Sequence, residues 1–415
     1  MDKFIHPFKY NGQIYANSSK SYFQRVLAIA SLSNSSCKVF GDPKNDDVKT
    51  AINICKKIGV EIIEQENYVI VNSSLNIKKT SININSGESG LSTRIFGVLL
   101  TSMFNSSNIV GYGTLNERDM FFSELEQLGV ICKSNNNKLP ISLVGKLKSG
   151  IITIDGTKGS QLLSGLLLTL PFLKGDSIIK VKGLVSKPYV LMTIQVLKDF
   201  GVFITNNSFE EFVIKGNQQY ECHEYSVEGD WSGAAFHLVG AAISGSVVVK
   251  GLNLASLQAD IKILDVLELC GAHIVQKSTS VLVKKNKLQA FNYDATDCPD
   301  LFPPIVALAA CCKGNSFISG VGRLENKESN RAVVLQSEFK KLGVKILILD
   351  DIMIVHGTKK LIGANVNSHK DHRIAMALSV MASVTNEKIT IENAEAVNKS
   401  YSNFYSDLEL IGANK

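Results

Sequence analysis

The chain has 415 residues, enough for two or three domains with cores of their own, and 45% hydrophobic against 20% charged residues is a globular balance. A net charge of +6 suits small anionic ligands, and without a dense Lys/Arg block or aromatic-basic interleaving it excludes the usual nucleic-acid surfaces. The start Met1-Asp2-Lys3-Phe4-Ile5-His6 lacks a signal-peptide core, no apolar run is long enough to cross a bilayer, and the eight cysteines lack metal-ligand spacing. These features predict a cytoplasmic protein with reduced core cysteines and no metal.

In chain order, Asn17-Ser18-Ser19-Lys20-Ser21-Tyr22-Phe23-Gln24-Arg25 opens a helix, Val26 to Leu32, that is apolar on nearly every face. Serines stand where an N-cap belongs, while Lys20 and Arg25 gain nothing from a helix dipole that favours anions at that end. They read either as part of an anion site beside unpaired N–H groups or as snorkelling bases on a buried helix. Next come the strand Ser36 to Phe40, an amphipathic helix from Asp46 to Ile58 stopped by Gly59, and the strands Val60 to Ile63, Tyr68 to Val71 and Ser81 to Ile84.

The same plan then recurs. Buried helices follow at Leu91 to Met103, Gln161 to Leu173, Gly233 to Ile243, Leu301 to Cys312 and Ile374 to Ser383, and the residues that open the six helices, Ser19, Ser89, Gly159, Asp230, Asp300 and Asp371, keep a step of 70 or 71 residues. Glycine stops after amphipathic helices, at Gly59, Gly129, Gly201, Gly271, Gly343 and Gly412, keep a step of 69 to 72 residues. Two markers in phase define a six-fold repeat. A helix apolar all round must be buried, so three repeats gather their helices into one core and six repeats give two similar lobes. The crossings near residues 18 and 230 predict lobes of 18–228 and of 1–17 plus 229–415. Parallel packing brings helix N-termini to one end of each lobe, and lobes facing at those ends would form an anion-binding cleft.

Side chains at these starts and matching loops are Lys20, Arg25, Arg94, Arg118, Lys327, Arg331, Arg373 and Lys399, against Asp300 and Glu328. The surplus fits a ligand with several phosphates or carboxylates. Asp230 reads as a helix cap, and Asp300, among cations, as an ionised base. Without a P-loop or dinucleotide fingerprint, no nucleotide cofactor is expected.

In this order and spacing the residues resemble the family of 5-enolpyruvylshikimate-3-phosphate synthases. The resemblance spans the chain through Ser19-Lys20-Ser21 with Arg25, Gly90 to Arg94, Glu117-Arg118, Ser160-Gln161, Ser186-Lys187-Pro188-Tyr189, Glu228-Gly229-Asp230, Pro299-Asp300, Lys327-Glu328-Ser329 with Arg331, Asp371 to Met376, and Lys399. It implies an α/β (α+β) protein of two lobes, each an inside-out α/β barrel of three βαβαββ repeats around buried parallel helices. It also implies transfer of the enolpyruvyl group of phosphoenolpyruvate to the 5-hydroxyl of shikimate 3-phosphate, without cofactor or metal, by a cytoplasmic monomer.

Carried over by position, the resemblance assigns shikimate 3-phosphate to Lys20, Ser21, Arg25, Ser160, Gln161, Ser186, Asp300, Arg323 and Lys327. Phosphoenolpyruvate falls to Lys20, Gly90, Arg118, Gln161, Arg331, Arg373 and Lys399. Asp300 takes the hydroxyl proton, and either Glu328 or Lys327 protonates the methylene carbon. The sequence departs from the family pattern at Asn17-Ser18, Glu88, Leu91, Gly159 and Arg323, which bears on the phosphate contacts and on glyphosate sensitivity. Two other readings compete: a UDP-N-acetylglucosamine enolpyruvyl transferase on the same fold, and a repeat scaffold that binds proteins. The first expects Asn beside the first lysine and a cysteine on the Arg118 loop, where this chain has Ser21 and no cysteine. The second expects charges spread over an outer face.

Overall fold

The structure is a computed structural model that describes residues 1–74, 79–221 and 223–413. Two compact units emerge: Met1–Ser19 with Glu228–Lys415, and the contiguous Lys20–Val227. Each unit has buried core helices and amphipathic covers. In the contiguous unit α1 (Lys20–Ala30), α3 (Gly90–Met103) and α4 (Gln161–Thr169) are core, while α2 (Asp46–Ile58) and α5 (Lys187–Asp199) are amphipathic covers. In the other unit α6 (Trp231–Ser244), α8 (Phe302–Ala310) and α10 (His372–Met381) are core. Their covers are α7 (Ile263–Leu269), α9 (Arg331–Lys341) and α11 (Phe404–Leu410).

Burial explains the core helices. Ile95, Phe96, Val98, Leu99 and Leu100 of α3 have no exposed surface, and burying each fully stabilises by roughly 1.5–3 kcal/mol. Hydroxyls within these helices are satisfied in their own turns, as Thr93 Oγ1 donates to the Ser89 carbonyl at 2.7 Å and Ser379 Oγ to that of Ala375 at 2.7 Å. The core helices are aligned start to start. Gln24 of α1 donates to the Ser89 cap of α3, and Arg94 of α3 to Gln161 at the head of α4. Arg373 of α10 likewise reaches Asp300 just before α8.

Among the described residues the strands form six sheets, three per unit. Ser81–Asn85 runs parallel to Ser106–Val110, which pairs antiparallel with Lys138–Val144, itself antiparallel to Ile131–Asn135. Four other sheets repeat this order. Two borrow their parallel strand from a distant part of the chain: Ser36–Phe40 takes Glu224–Ser226, and Ser246–Lys250 takes Asn11–Tyr15. The sixth sheet has three strands, in which Lys3–Ile5 replaces the hairpin beside Ile389–Glu392. At the crossing, Ser19 N–H donates to the Glu228 carbonyl at 2.8 Å and Asp230 N–H to that of Asn17 at 2.7 Å.

All six marker glycines have positive φ, from 79° to 132°, as a helix stop requires. Three expected helices differ in detail. Before Gly129 the chain makes only a 3-10 turn, Ser123–Leu128. Phe121 is already left-handed at φ 51°, leaving too short a run for α-helix to propagate. Helix α4 stops at Thr169 and tightens over Leu170–Phe172, because Pro171 lacks the N–H to continue. Helix α8 begins at Phe302, after a 3-10 turn at Pro299–Leu301, with Pro303 and Pro304 in its first turn, and ends at Ala310. The seven described cysteines are unbridged, five of them buried. Cys222, also expected in a core, lies outside the described residues.

Candidate active site

In the contiguous unit, Lys20 opens α1 with no acid in the first turn, and its Nζ pairs with Asp47 Oδ2 at 2.9 Å. Arg25, one turn on, is 1% exposed. Its acceptors are the Ser21 carbonyl (2.8 Å), Thr193 Oγ1 (2.8 Å), the Tyr189 carbonyl (3.2 Å) and Ser164 Oγ (3.5 Å). These are all neutral, and a buried guanidinium without a carboxylate favours an anion nearby. Ser21 lies above it, held through its carbonyl.

Gly90 begins α3, and a Cβ built there would lie 2.8 Å from Arg118 Nη2. The guanidinium therefore lies on the helix start itself, a cation against the positive end of a dipole. That arrangement gains energy when an anion joins them. Arg94, counted among the cations at the helix starts, makes its contacts within this unit. It donates to the Gly90 carbonyl at 3.2 Å, to Gln161 Oε1 at 2.7 Å and to the Asp119 carbonyl, which makes it a strut between α3, α4 and the Arg118 loop. Ser160 and Ser186 are buried just before α4 and α5. Ser186 is held left-handed at φ 60° ahead of Pro188, a conformation uncommon for serine.

In the other unit the charges converge tightly. Asp300 Oδ1 accepts from Arg331 Nη1 at 2.8 Å and from Lys327 Nζ at 3.4 Å, and its Oδ2 from Arg373 Nη2 at 2.9 Å. Arg331, 1% exposed, spends its other nitrogens on Asp371, at 2.8 Å from Nε, and on Glu328, at 2.7 Å from Nη2. Asp371 is fully buried, caps α10 through the Arg373 N–H at 3.0 Å and accepts from Ser329 Oγ at 3.2 Å. Asp230 is a cap, as expected, accepting the Ser232 N–H at 3.1 Å. Lys399 is buried at the end of a 3-10 turn, Ala394–Lys399, that packs on α10.

Burial alone would raise the Asp300 carboxyl. Arg373 first, then Lys327 and Arg331, outweigh it and hold the group well below the ordinary carboxylate range. Burial lowers the Lys327 ammonium despite Asp300, with Arg331 and Arg323 pushing the same way. Asp300 is thus ionised, and burial leaves Lys327 readier than an ordinary lysine to give up a proton.

The expected surplus of cations is partly neutralised by acids that the sequence reading did not set against them. Asp371 faces Arg331, and Asp47 faces Lys20. Asp260 is 2% exposed and bonded to Ser232 Oγ, and burial first, then the Asp300 charge, raise its carboxyl. In the sequence, Asp47 and Asp371 look like ordinary helix-start acids. Ligand atoms of Glu328, Asp371 and His372 come within 4.8 Å of one another, but both carboxylates already bind the Arg331 guanidinium. A divalent cation would have to displace it.

Residues 6–408 match the family described as EPSP synthase (3-phosphoshikimate 1-carboxyvinyltransferase). The chain belongs to the EPSP synthase family. Relatives named 3-phosphoshikimate 1-carboxyvinyltransferase include one from Clostridium beijerinckii, 37% identical over 98% of this chain and 97% of its own length. Another, from Clostridium acetobutylicum, is 38% identical over 99% and 97%. The fold is also that of the EPSP synthase structure from Acinetobacter baumannii, at TM-score 0.83 and 22% identity over 99% of this chain and 98% of that one. The enolpyruvyl transferase NikO from Streptomyces tendae is similar at TM-score 0.75 and 16% identity, over 98% and 96%. Membership in the EPSP synthase family agrees with the mixed α/β repeats, and among the described residues no helix is long and apolar enough to cross a membrane.

Proposed function

We propose that the chain transfers the enolpyruvyl group of phosphoenolpyruvate to the 5-hydroxyl of shikimate 3-phosphate and releases phosphate. Relatives of that name match it over nearly their whole length. The observation that carries the chemistry is the Asp300 carboxylate, ionised among Arg373, Arg331 and Lys327, with Glu328 on the far side of the same guanidinium.

In this reading Lys20 serves both substrates. Ser21, Arg25, Ser160, Gln161, Ser186, Arg323 and Lys327 bind shikimate 3-phosphate. Gly90, Arg118, Gln161, Arg373 and Lys399 receive phosphoenolpyruvate, and Arg331 supplies charge from behind. Asp300 takes the proton of the 5-hydroxyl as its oxygen adds to C2 of phosphoenolpyruvate, and Glu328 or Lys327 delivers a proton to C3. Loss of a C3 proton with departure of phosphate restores the double bond. The three cations that hold Asp300 down also weaken it as a base. Substrate carboxylate and phosphate compete for them, so Asp300 regains basicity when both anions are bound.

Phosphate release from phosphoenolpyruvate by the purified protein tests this reading. Release that depends on shikimate 3-phosphate supports it. No such release, or release with UDP-N-acetylglucosamine instead, overturns it.

A further inference from the structure

The loop presenting Arg118 is fastened to the entry of α3 at both of its ends. Tyr112 N–H donates to the Gly87 carbonyl at 3.0 Å, and Thr114 N–H to Glu88 Oε1 at 2.6 Å. Arg94 holds the Asp119 carbonyl on the other side. Between these ties runs a 3-10 turn, Gly113–Glu117, anchored by fully buried Leu115, with Arg118 N–H closing on the Leu115 carbonyl at 3.2 Å. The Glu88 tie has its own steric requirement. A Cβ on Gly113, where φ is +60°, would lie 1.7 Å from Glu88 Oε1. Only glycine there lets the carboxylate reach the next amide, so Glu88 and Gly113 form one device. The segment that carries Glu88 also carries Gly90, over which the Arg118 guanidinium lies.

We propose that Glu88 is a positioning residue for Arg118: its carboxylate fixes the Gly113–Glu117 turn and thereby sets the guanidinium over the start of α3, governing affinity for phosphoenolpyruvate. This rests on Arg118 being a ligand of phosphoenolpyruvate. A charge-assisted bond to a backbone amide holds the turn in one place, and losing it lets the arginine sample positions that do not meet the anion. The acceptor oxygen matters more than the charge, so an amide in its place keeps the tie.

Steady-state kinetics with both substrates test the proposal. Glu88→Ala raises the KM for phosphoenolpyruvate about tenfold, with kcat and the KM for shikimate 3-phosphate within about twofold of the parent, while Glu88→Gln recovers to within about threefold. Gly113→Ala reproduces the rise, and Glu88→Ala/Gly113→Ala is no worse than the poorer single variant, because the two changes break one contact. Arg118→Ala separates the layers. If it leaves the KM for phosphoenolpyruvate unchanged, the ligand role of Arg118 fails. If Arg118→Ala raises that KM and Glu88→Ala does not, the positioning role alone is overturned. Equal impairment of Glu88→Ala and Glu88→Gln, or a matching loss in both KM values with a lowered melting temperature, also overturns it.

Discussion

Arg373 grips Asp300 twice, from Nη2 to Oδ2 at 2.9 Å and from Nη1 to the backbone carbonyl at 3.3 Å. The second contact fixes the arginine to the peptide, so the two side chains stay registered when a ligand draws on the guanidinium. Asp300→Asn keeps this shape and removes the base. Turnover should fall by roughly 10²–10⁴-fold, the scale of a positioned base, with little change in shikimate 3-phosphate affinity measured by calorimetry. Near-normal turnover would remove Asp300 from the chemistry.

Arg331 neutralises three carboxylates from a fully buried position. Arg331→Met leaves Asp371 buried and unpaired, and should cost about 3–5 kcal/mol of stability. Chemical denaturation reads that loss directly. A change below 1 kcal/mol would mean that the carboxylates find other partners.

Lys20→Ala should weaken binding of either substrate by roughly 2–5 kcal/mol, as expected for a buried charge partner, and lower the melting temperature by removing its ion pair with Asp47. Removing Asp47 as well should restore the melting temperature but not the binding. If the double variant regains affinity, Lys20 is structural.

His237 sits fully buried on α6, stacked on Phe404 at 5.1 Å and edge-on to Tyr401 at 5.7 Å, and burial lowers its pKa to about 3. A base depressed in the folded state leaves the unfolded chain holding more protons once pH drops below about 6.5. The stability it contributes is therefore complete above that pH and is lost as pH falls toward about 3. At pH 5 the loss is about 2 kcal/mol relative to pH 7.5. His237→Phe should abolish this component of acid sensitivity in melting curves at the two pH values. An unchanged difference would assign the sensitivity to other groups.

The repeat was legible because its markers are local: a glycine that must take positive φ, and polar residues ahead of an all-apolar helix. Asp300 was legible for a different reason, since it is an acid among the cations that gather at the matching helix starts and loops, Lys327, Arg331 and Arg373 among them. The division of the arginines into ligands and struts was not. Arg94 reaches a partner 67 residues away and Arg25 one 168 residues away, contacts decided by how three separate repeats pack. A cation in the first turn of a helix looks the same in sequence whether it meets a substrate or a neighbouring carbonyl. The pairing of Asp47 with Lys20 and of Asp371 with Arg331 was missed because a carboxylate at a helix start already has a sufficient local explanation.

The borrowed strands set an order on biosynthesis. Strand Glu224–Ser226 completes the sheets of residues 20–227 within one uninterrupted stretch, so that stretch holds every strand it needs once its last residues leave the ribosome. Asn11–Tyr15 and Lys3–Ile5 emerge ahead of residues 20–227 yet find their neighbours only after residues 246–250 and 389–392 have been made. These two strands are thus made well before they are paired, and their unpaired edges are where a nascent chain would need shielding.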